Sequence, residues 1–126
     1  MFKLSLAAVP AAAVCLAACA GTTSAPSPAK MSDGVLVGAN GMTLYTFDND
    51  KVPGKSACNG PCATLWPPLM ANASDQQMGD WSVITRDDGS RQWAYKGKPV
   101  YFYKTDKSAG DKTGDNFRNV WHVIKE

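Results

Sequence analysis

The 126-residue chain has little of several residue types that catalysis and helix formation commonly use. It contains one His, and ten of its eleven acidic residues are Asp, so that Glu126 is the single Glu. Its eleven Gly and eight Pro favour turns and caps over the interiors of helices. We therefore expect a mostly β protein.

The chain also lacks the marks of several large functional classes. Its formal net charge is +2 and 19% of its residues are charged, which leaves no broad basic surface for nucleic acid. It has no P-loop, no Gly-x-Gly-x-x-Gly, no haem-attachment motif and no paired His motif for zinc. The sequence has no Ser or Cys in a nucleophile motif, so a catalytic role for His122 is not expected. We expect a protein that is not an enzyme, with no nucleic-acid partner and no cofactor beyond the two metal alternatives below.

Residues 1–18 are typical of an export signal. Lys3 precedes an apolar run at residues 4–18, which is too short to span a bilayer core of about 30 Å. The run ends in Leu16-Ala17-Ala18-Cys19, which resembles the lipobox of bacterial lipoproteins. That resemblance implies a lipid on Cys19, and several acyl chains on one residue hold a protein at a membrane essentially permanently. The alternative is an ordinary secretory cleavage site.

Residues 19–33 then form the predicted link between the lipid and the folded part. This segment contains one large apolar residue, Met31, and should stay a flexible tether. Ala20 follows the lipidated position, where the resemblance implies the outer membrane, facing the periplasm, in a Gram-negative host. Residues 34–126 are left as a single β domain.

The β domain contains an internal repeat. The segment GMTLYTFDNDK at residues 41–51 returns as GKPVYFYKTDK at residues 97–107, an offset of 56, and Trp66 returns as Trp121 at an offset of 55. We predict two pseudo-symmetric repeats, at about residues 34–80 and 81–126, that form a small antiparallel barrel or sandwich with long loops. The predicted strands cover residues 35–37, 42–47, 81–86, 91–95, 100–103 and 120–124, with one helical turn at residues 61–65.

The repeated segment carries the pattern Tyr-x-[Phe/Trp/Tyr]-x-x-Asp. It is formed first by Tyr45, Phe47 and Asp50, and then by Tyr101, Tyr103 and Asp106. The chain resembles the secreted-repeat family of bacterial lipoproteins. The resemblance lies in this pattern and in three further segments, SACNGPCA at residues 56–63, WPPL at 66–69 and QWAYKGKP at 92–99. The resemblance implies an exported cell-envelope protein and no established activity.

The two motif carboxylates, Asp50 and Asp106, each follow an aromatic strand and precede a Lys and a Gly. We expect them to accept hydrogen bonds from backbone N–H groups of their own turns. Calcium is the weaker alternative, since carboxylates in loops are its preferred ligands. Its candidate ligands are Asp48 and Asp50, or Asp106, Asp111 and Asp115.

Cys58 and Cys62 are the cysteines that remain after the export signal and Cys19. In an exported protein so close a pair is most simply a disulfide. The alternative is a thiol-redox or copper site with His122 as a third ligand, since thiolates suit Cu(I), and with Met70 or Met78 assisting. The βαβ pattern that supports such sites in Sco-type proteins is missing here. Gly114 and Arg118 replace the two cysteines in the second repeat.

Aromatic side chains are expected to fill the core of so small a domain. Those that reach the surface would form a site for an envelope protein or a glycan. The predicted function is a membrane-tethered envelope lipoprotein, a binding or structural module. The aromatic residues concerned are Tyr45, Phe47, Trp66, Trp81, Trp93, Tyr95, Tyr101, Tyr103 and Trp121.

Overall fold

The computed structural model describes residues 27–125, so the predicted export signal, Cys19 and residues 20–26 of the predicted tether lie outside the described residues. The regular secondary structure of the described part is mainly strand, as predicted, with one short α-helix and one 3-10 helix. Its elements are β1 (Ala29–Ser32), β2 (Val35–Gly38), β3 (Tyr45–Phe47), α1 (Pro61–Leu65), β4 (Trp81–Thr85), β5 (Arg91–Tyr95), β6 (Lys98–Pro99), the 3-10 helix (Phe117–Asn119) and β7 (Trp121–Val123).

Strand β1 corrects the predicted tether. Residues 29–32 lie inside the segment expected to be flexible, but they pair antiparallel with β2, from Ala29 with Gly38 to Ser32 with Val35. Asp33 and Gly34 both have positive φ, at 51° and 84°, which is the two-residue hairpin turn that strand twist favours. The polar composition of residues 29–32 hid this hairpin, since three of the four residues are exposed.

The other turns follow the predicted chemistry. Lys96 and Gly97 form a second two-residue turn, at φ 51° and 85°, between β5 and β6. The Asn40-Gly41 hairpin is confirmed by the bridge between Val37 and Thr43 and by the N–H of Gly38 donating to the carbonyl of Met42 at 2.8 Å. Helix α1 begins with a proline and ends before the Pro67-Pro68 pair, as the sequence predicts.

The strands form three short antiparallel sheets, β1-β2, β3-β7 and β4-β5-β6, instead of one closed barrel. Isolated bridges join these sheets through two further extended segments, at residues 67–71 and 100–102. The resulting spatial order is β4, β5, 67–71, 100–102, β3, β7, β2 and β1, and β6, which also pairs with β5, leads directly into 100–102. The two halves of this order correspond by a pseudo-two-fold between 100–102 and β3.

Each repeat gives its last strand to the other repeat. The N–H of Leu36, in the first repeat, donates to the carbonyl of Ile124 at 2.8 Å. In the equivalent bond the repeats change roles: the N–H of Trp93, in the second repeat, donates to the carbonyl of Leu69, in the first repeat, at 2.9 Å. The sheet of each half therefore contains strands from both repeats.

The motif strands are buried on both faces, since alternate side chains of a strand point to opposite sides. Leu44 and Val100 enter one apolar cluster with Trp81 and Trp93. Their neighbours in the chain enter a second, aromatic cluster on the other side, which contains Tyr45, Cys58, Trp66, Tyr101, Tyr103 and Trp121. The second cluster therefore contains three aromatic residues of the repeated motif, Tyr45, Tyr101 and Tyr103.

Candidate functional site

The two motif tyrosines face each other across the pseudo-two-fold. Tyr45 and Tyr101 occupy equivalent positions of the two repeats, and they pair directly as antiparallel neighbours. The N–H of Tyr45 donates to the carbonyl of Tyr101 at 2.8 Å, and the reverse bond measures 2.9 Å. Both side chains are fully buried.

Each motif tyrosine donates its hydroxyl proton to the motif aspartate of the other repeat. Tyr45 donates to Oδ2 of Asp106 at 2.6 Å, and Tyr101 donates to Oδ2 of Asp50, also at 2.6 Å. A hydrogen bond to a charged group is worth about 1.5–3 kcal/mol. The motif thus links the two repeats to each other, which the repeat pattern alone did not indicate.

The second oxygen of each aspartate binds backbone, in part as predicted. Oδ1 of Asp50 accepts from the N–H of Ala57 at 2.6 Å, and Oδ1 of Asp106 accepts from the N–H of Thr113 at 2.9 Å. The Thr113 hydroxyl also donates to Asp106. Each N–H lies seven residues beyond its aspartate, so the carboxylate closes the whole loop after the motif and not only its own turn.

Burial changes the acidity of these groups. Burial and the neighbouring aspartate raise the pKa of both Tyr45 and Tyr101 well above 10, the usual value for tyrosine. Burial also raises the pKa of Asp50, against the lowering effect of its bonds from Tyr101 and Ala57 and of the nearby Arg86. The phenols therefore stay protonated at neutral pH and serve as hydrogen-bond donors, not as bases.

Four aromatic rings stack in one column across the two repeats, in the order Tyr103, Trp66, Trp121, Phe47; we call this the ring column. Successive centroids lie 3.9, 3.8 and 4.1 Å apart, with interplanar angles of 14°, 3° and 10°. The outer rings are the third residues of the two motifs, and the inner rings are the two repeat-equivalent tryptophans. Neighbours in the column always come from different repeats.

The motif tyrosines contact the ring column edge-on. Tyr45 meets Trp66 at 5.3 Å and 82°, and Tyr101 meets Trp121 at 5.2 Å and 88°. Edge-to-face aromatic pairs add about 0.5–1.5 kcal/mol each beyond area burial. The prediction that aromatic residues fill the core is confirmed for seven buried residues, while Phe47 and Tyr95 are only partly buried. The seven are Tyr45, Trp66, Trp81, Trp93, Tyr101, Tyr103 and Trp121. The ring column joins the two repeats.

The predicted disulfide between Cys58 and Cys62 is present, with a Cα–Cα distance of 5.2 Å, and it ties the loop after the first motif to helix α1. The equivalent of Cys58 in the second repeat is Gly114. A Cβ at Gly114 would lie 2.6 Å from the Trp66 ring and 2.8 Å from Tyr103. Because the ring column fills this space, the second repeat has no room for the cysteine.

Arg86 is a site residue that the sequence analysis missed. It is 5% exposed, and its guanidinium donates to the Gln92 side chain at 2.7 Å, to Ser56 Oγ at 3.0 Å and to the Cys58 carbonyl at 2.5 Å. Ser56 Oγ also lies 2.6 Å from the Tyr101 hydroxyl. The buried charge therefore joins the disulfide loop to the Tyr101–Asp50 pair. The one hint in the sequence is Gln92, a polar residue next to Trp93 in β5. Its side chain is fully buried, and a buried amide needs a polar partner such as Arg86.

The residues proposed for copper are not brought together. The two cysteine sulfurs bind each other, and His122 lies with Nε2 2.8 Å from Asp48 Oδ2 and Nδ1 3.1 Å from Asn116 Oδ1. Met70 is half exposed, and Met78 packs against the other apolar cluster. The thiol-redox and copper alternative stays a prediction, for thiol labelling and Cu(I) titration to test.

The residues proposed for calcium have internal partners. Asp48 contacts His122, Asp111 accepts from the N–H groups of Lys107 and Ser108, and Asp115 accepts from that of Val123. Within residues 27–125, no group of three or more His, Cys, Asp and Glu side chains is placed to hold a metal ion.

A shallow pocket of about 200 Å³ opens beside the first motif. Its wall is the loop at residues 49–52 and 55–57, including Asp50, Val52 and Ser56. Sites that enclose small molecules usually measure about 300–1,000 Å³. This pocket is smaller than such sites.

The repeat architecture agrees with the comparison with known families. The family model described as a secreted repeat of unknown function matches residues 27–70 and 82–125, one copy for each repeat. The chain belongs to this family, which implies an exported protein. No curated protein and no solved structure matches the chain significantly. Among residues 27–125, no helix is long and apolar enough to cross a membrane.

Proposed function

We propose that this protein is a lipid-tethered, non-enzymatic module of the bacterial cell envelope, which presents a rigid surface to an envelope protein or a glycan. The observation that carries the proposal is the use of the family motif inside the molecule. The hydroxyls of Tyr45 and Tyr101 and the carboxylates of Asp50 and Asp106 all bind one another or local backbone. Groups held in this way specify a structure and leave no free acid, base or nucleophile in the motif.

The loop after the first motif is the proposed contact surface. Between Lys51 and Lys55 it carries Val52, whose 62% exposure is the largest among the exposed large hydrophobic residues of the described part of the chain. The disulfide and Asp50 hold the end of this loop, so little ordering entropy is lost when a partner binds. Covering this exposed apolar side chain with a protein or polymer partner removes apolar surface from water, which favours binding.

The contact surface is tested by capture from solubilised envelope. Purified protein, wild type and Val52→Asp, is immobilised and incubated with envelope extract and with isolated envelope glycan. We expect Val52→Asp to lose most of the captured material. The matched control is Met70→Asp, since Met70 is also exposed, at 50%, but lies outside this loop. Equal capture by all three proteins would contradict the proposed surface.

The tether is tested by metabolic labelling with an alkyne fatty acid, followed by membrane fractionation. We expect wild-type protein to be labelled and to sediment with membranes. Cys19→Ser should be unlabelled and released, while the double variant Cys58→Ala/Cys62→Ala should still be labelled. An unlabelled wild-type protein would overturn the lipid anchor and leave the proposal of a binding module standing on the capture experiment alone.

A further inference from the structure

The contact between the two repeats is self-complementary. The first repeat supplies Tyr45, Asp50 and a last strand, and the second supplies Tyr101, Asp106 and a last strand in return. The ring column alternates between the repeats in the same way. A repeat is therefore incomplete by itself, and what completes it is a second repeat with the same chemistry.

We propose that a second copy of this chain can complete each repeat in place of the other repeat of its own chain, and that shortening the linker between the repeats converts the monomer into an exchanged dimer. In this dimer, residues 27–70 of one copy are completed by residues 82–125 of the other, and each of the two resulting bodies has the contacts of the monomer. Every Tyr–Asp bond and every neighbour pair of the ring column then joins two chains. Exchange of identical elements is a low-cost route to dimers, because no new interface has to be built.

The segment that decides between the two arrangements is the linker at residues 71–80. It is mainly exposed, and it joins residues 67–71, on one edge of β5, to β4 on the opposite edge. Its first residue, Ala71, donates its N–H to the carbonyl of Arg91, and the residue that follows the linker, Trp81, pairs with Tyr95. With about 3.4 Å per residue along β5 and about 4.8 Å per strand across it, these ends lie roughly 17 Å apart.

The length of the linker therefore controls which partner a repeat takes. The present linker spans this distance with slack, and the high effective concentration of a tethered partner favours closure within one chain. Deletion of residues 73–78 leaves four Cα–Cα steps, which reach about 14 Å at most. A chain so shortened cannot close on itself while Ala71 stays bonded to Arg91 and Trp81 stays paired with Tyr95, but its repeats can still complete those of a second copy.

The experiment measures molar mass by light scattering during size exclusion, on the exported chain carrying Cys19→Ser so that it stays in solution. We expect the parent to be a monomer and the 73–78 deletion to be a folded dimer with native tryptophan fluorescence. The matched control replaces residues 73–78 with six Gly and Ser residues and should remain a monomer. A folded monomeric deletion variant, or one that is soluble and unfolded, would contradict the proposal.

A second measurement does not depend on the folding of a deletion variant. A protease site is inserted into the linker of the full chain, which is cut after folding, and the cut protein is refolded in a mixture with an isotope-labelled sample. We expect the two fragments to stay together and mixed pairs to approach half of the total after refolding. Fragments that separate and unfold on cutting, or pairs that never mix on refolding, would show that repeats do not complete each other between chains.

Discussion

Removal of one hydroxyl, in Tyr45→Phe, should cost this domain a large part of its stability. The hydroxyl donates to Asp106 at 2.6 Å and accepts from the N–H of Gly114 at 3.2 Å. Both tyrosine and aspartate are buried, with Asp106 6% exposed, so water cannot easily replace the lost bonds. A bond to a charged group is worth about 1.5–3 kcal/mol, and a buried N–H left unpaired costs about 1–3 kcal/mol.

These contributions overlap, and we expect a loss of about 3 kcal/mol in the free energy of unfolding for Tyr45→Phe. A domain of this size has about 5–15 kcal/mol in total, and its Tm falls by about 4–8 °C for each kcal/mol lost. Urea and thermal unfolding followed by tryptophan fluorescence measure the change. The matched control is Tyr95→Phe, since the Tyr95 ring packs on Trp81 but its hydroxyl has no hydrogen bond among residues 27–125. A loss for Tyr45→Phe no larger than for the control would refute the reasoning.

Three further predictions concern pH, the disulfide and a glycine. The pKa values of Tyr45 and Tyr101 are raised in the folded state, so the stability that these residues contribute is present below about pH 10 and is lost as the pH rises further. Absorbance at 295 nm, which follows tyrosine ionisation, should show that both tyrosines ionise together with unfolding. Cys58→Ala/Cys62→Ala should keep the fold and lose about 2 kcal/mol, since the disulfide closes a short loop. Gly114→Ala should cost about 2 kcal/mol or more in urea unfolding, because its Cβ would overlap the ring column.

The controls for these predictions separate the named cause from general damage. Ionisation of both motif tyrosines in a protein that is still native would contradict the pH prediction. For the disulfide, the reduced wild type should match the double alanine variant, and an unfolded variant would show that the fold itself needs the bond. For the glycine, Gly54→Ala meets open space at φ +77°, so it carries only backbone strain of about 1–2 kcal/mol. Equal costs at both glycines would exclude the steric explanation.

Local features of this fold were predictable from the sequence. The Asn40-Gly41 hairpin, the Lys96-Gly97 turn and helix α1 depend on short-range chemistry, namely positive φ at Gly41, Lys96 and Gly97 and the limits that proline sets. The boundaries were less accurate: the strand expected at residues 42–47 is continuous only over Tyr45–Phe47, and the strand expected at residues 120–124 only over Trp121–Val123.

The exchange between repeats could not be predicted from the repeat itself. An offset of 56 shows that Tyr45 and Tyr101 are equivalent, but it does not show which aspartate each one binds. Within one repeat Tyr45 and Asp50 are five residues apart, yet the bond goes to Asp106, 61 residues away. Arg86 was missed for a related reason, because its partners Ser56 and Cys58 lie in the other repeat. Residues that depend on contacts between repeats carry little local signal.

The most direct test of the central claim is a set of double-mutant cycles on the four motif residues, with Tyr→Phe and Asp→Ala changes and urea unfolding as the measurement. The structure predicts coupling of about 1.5–3 kcal/mol for Tyr45 with Asp106 and for Tyr101 with Asp50, the pairs whose atoms lie 2.6 Å apart. It predicts much weaker coupling for Tyr45 with Asp50 and for Tyr101 with Asp106. Strong coupling inside each repeat, and none between repeats, would contradict the account.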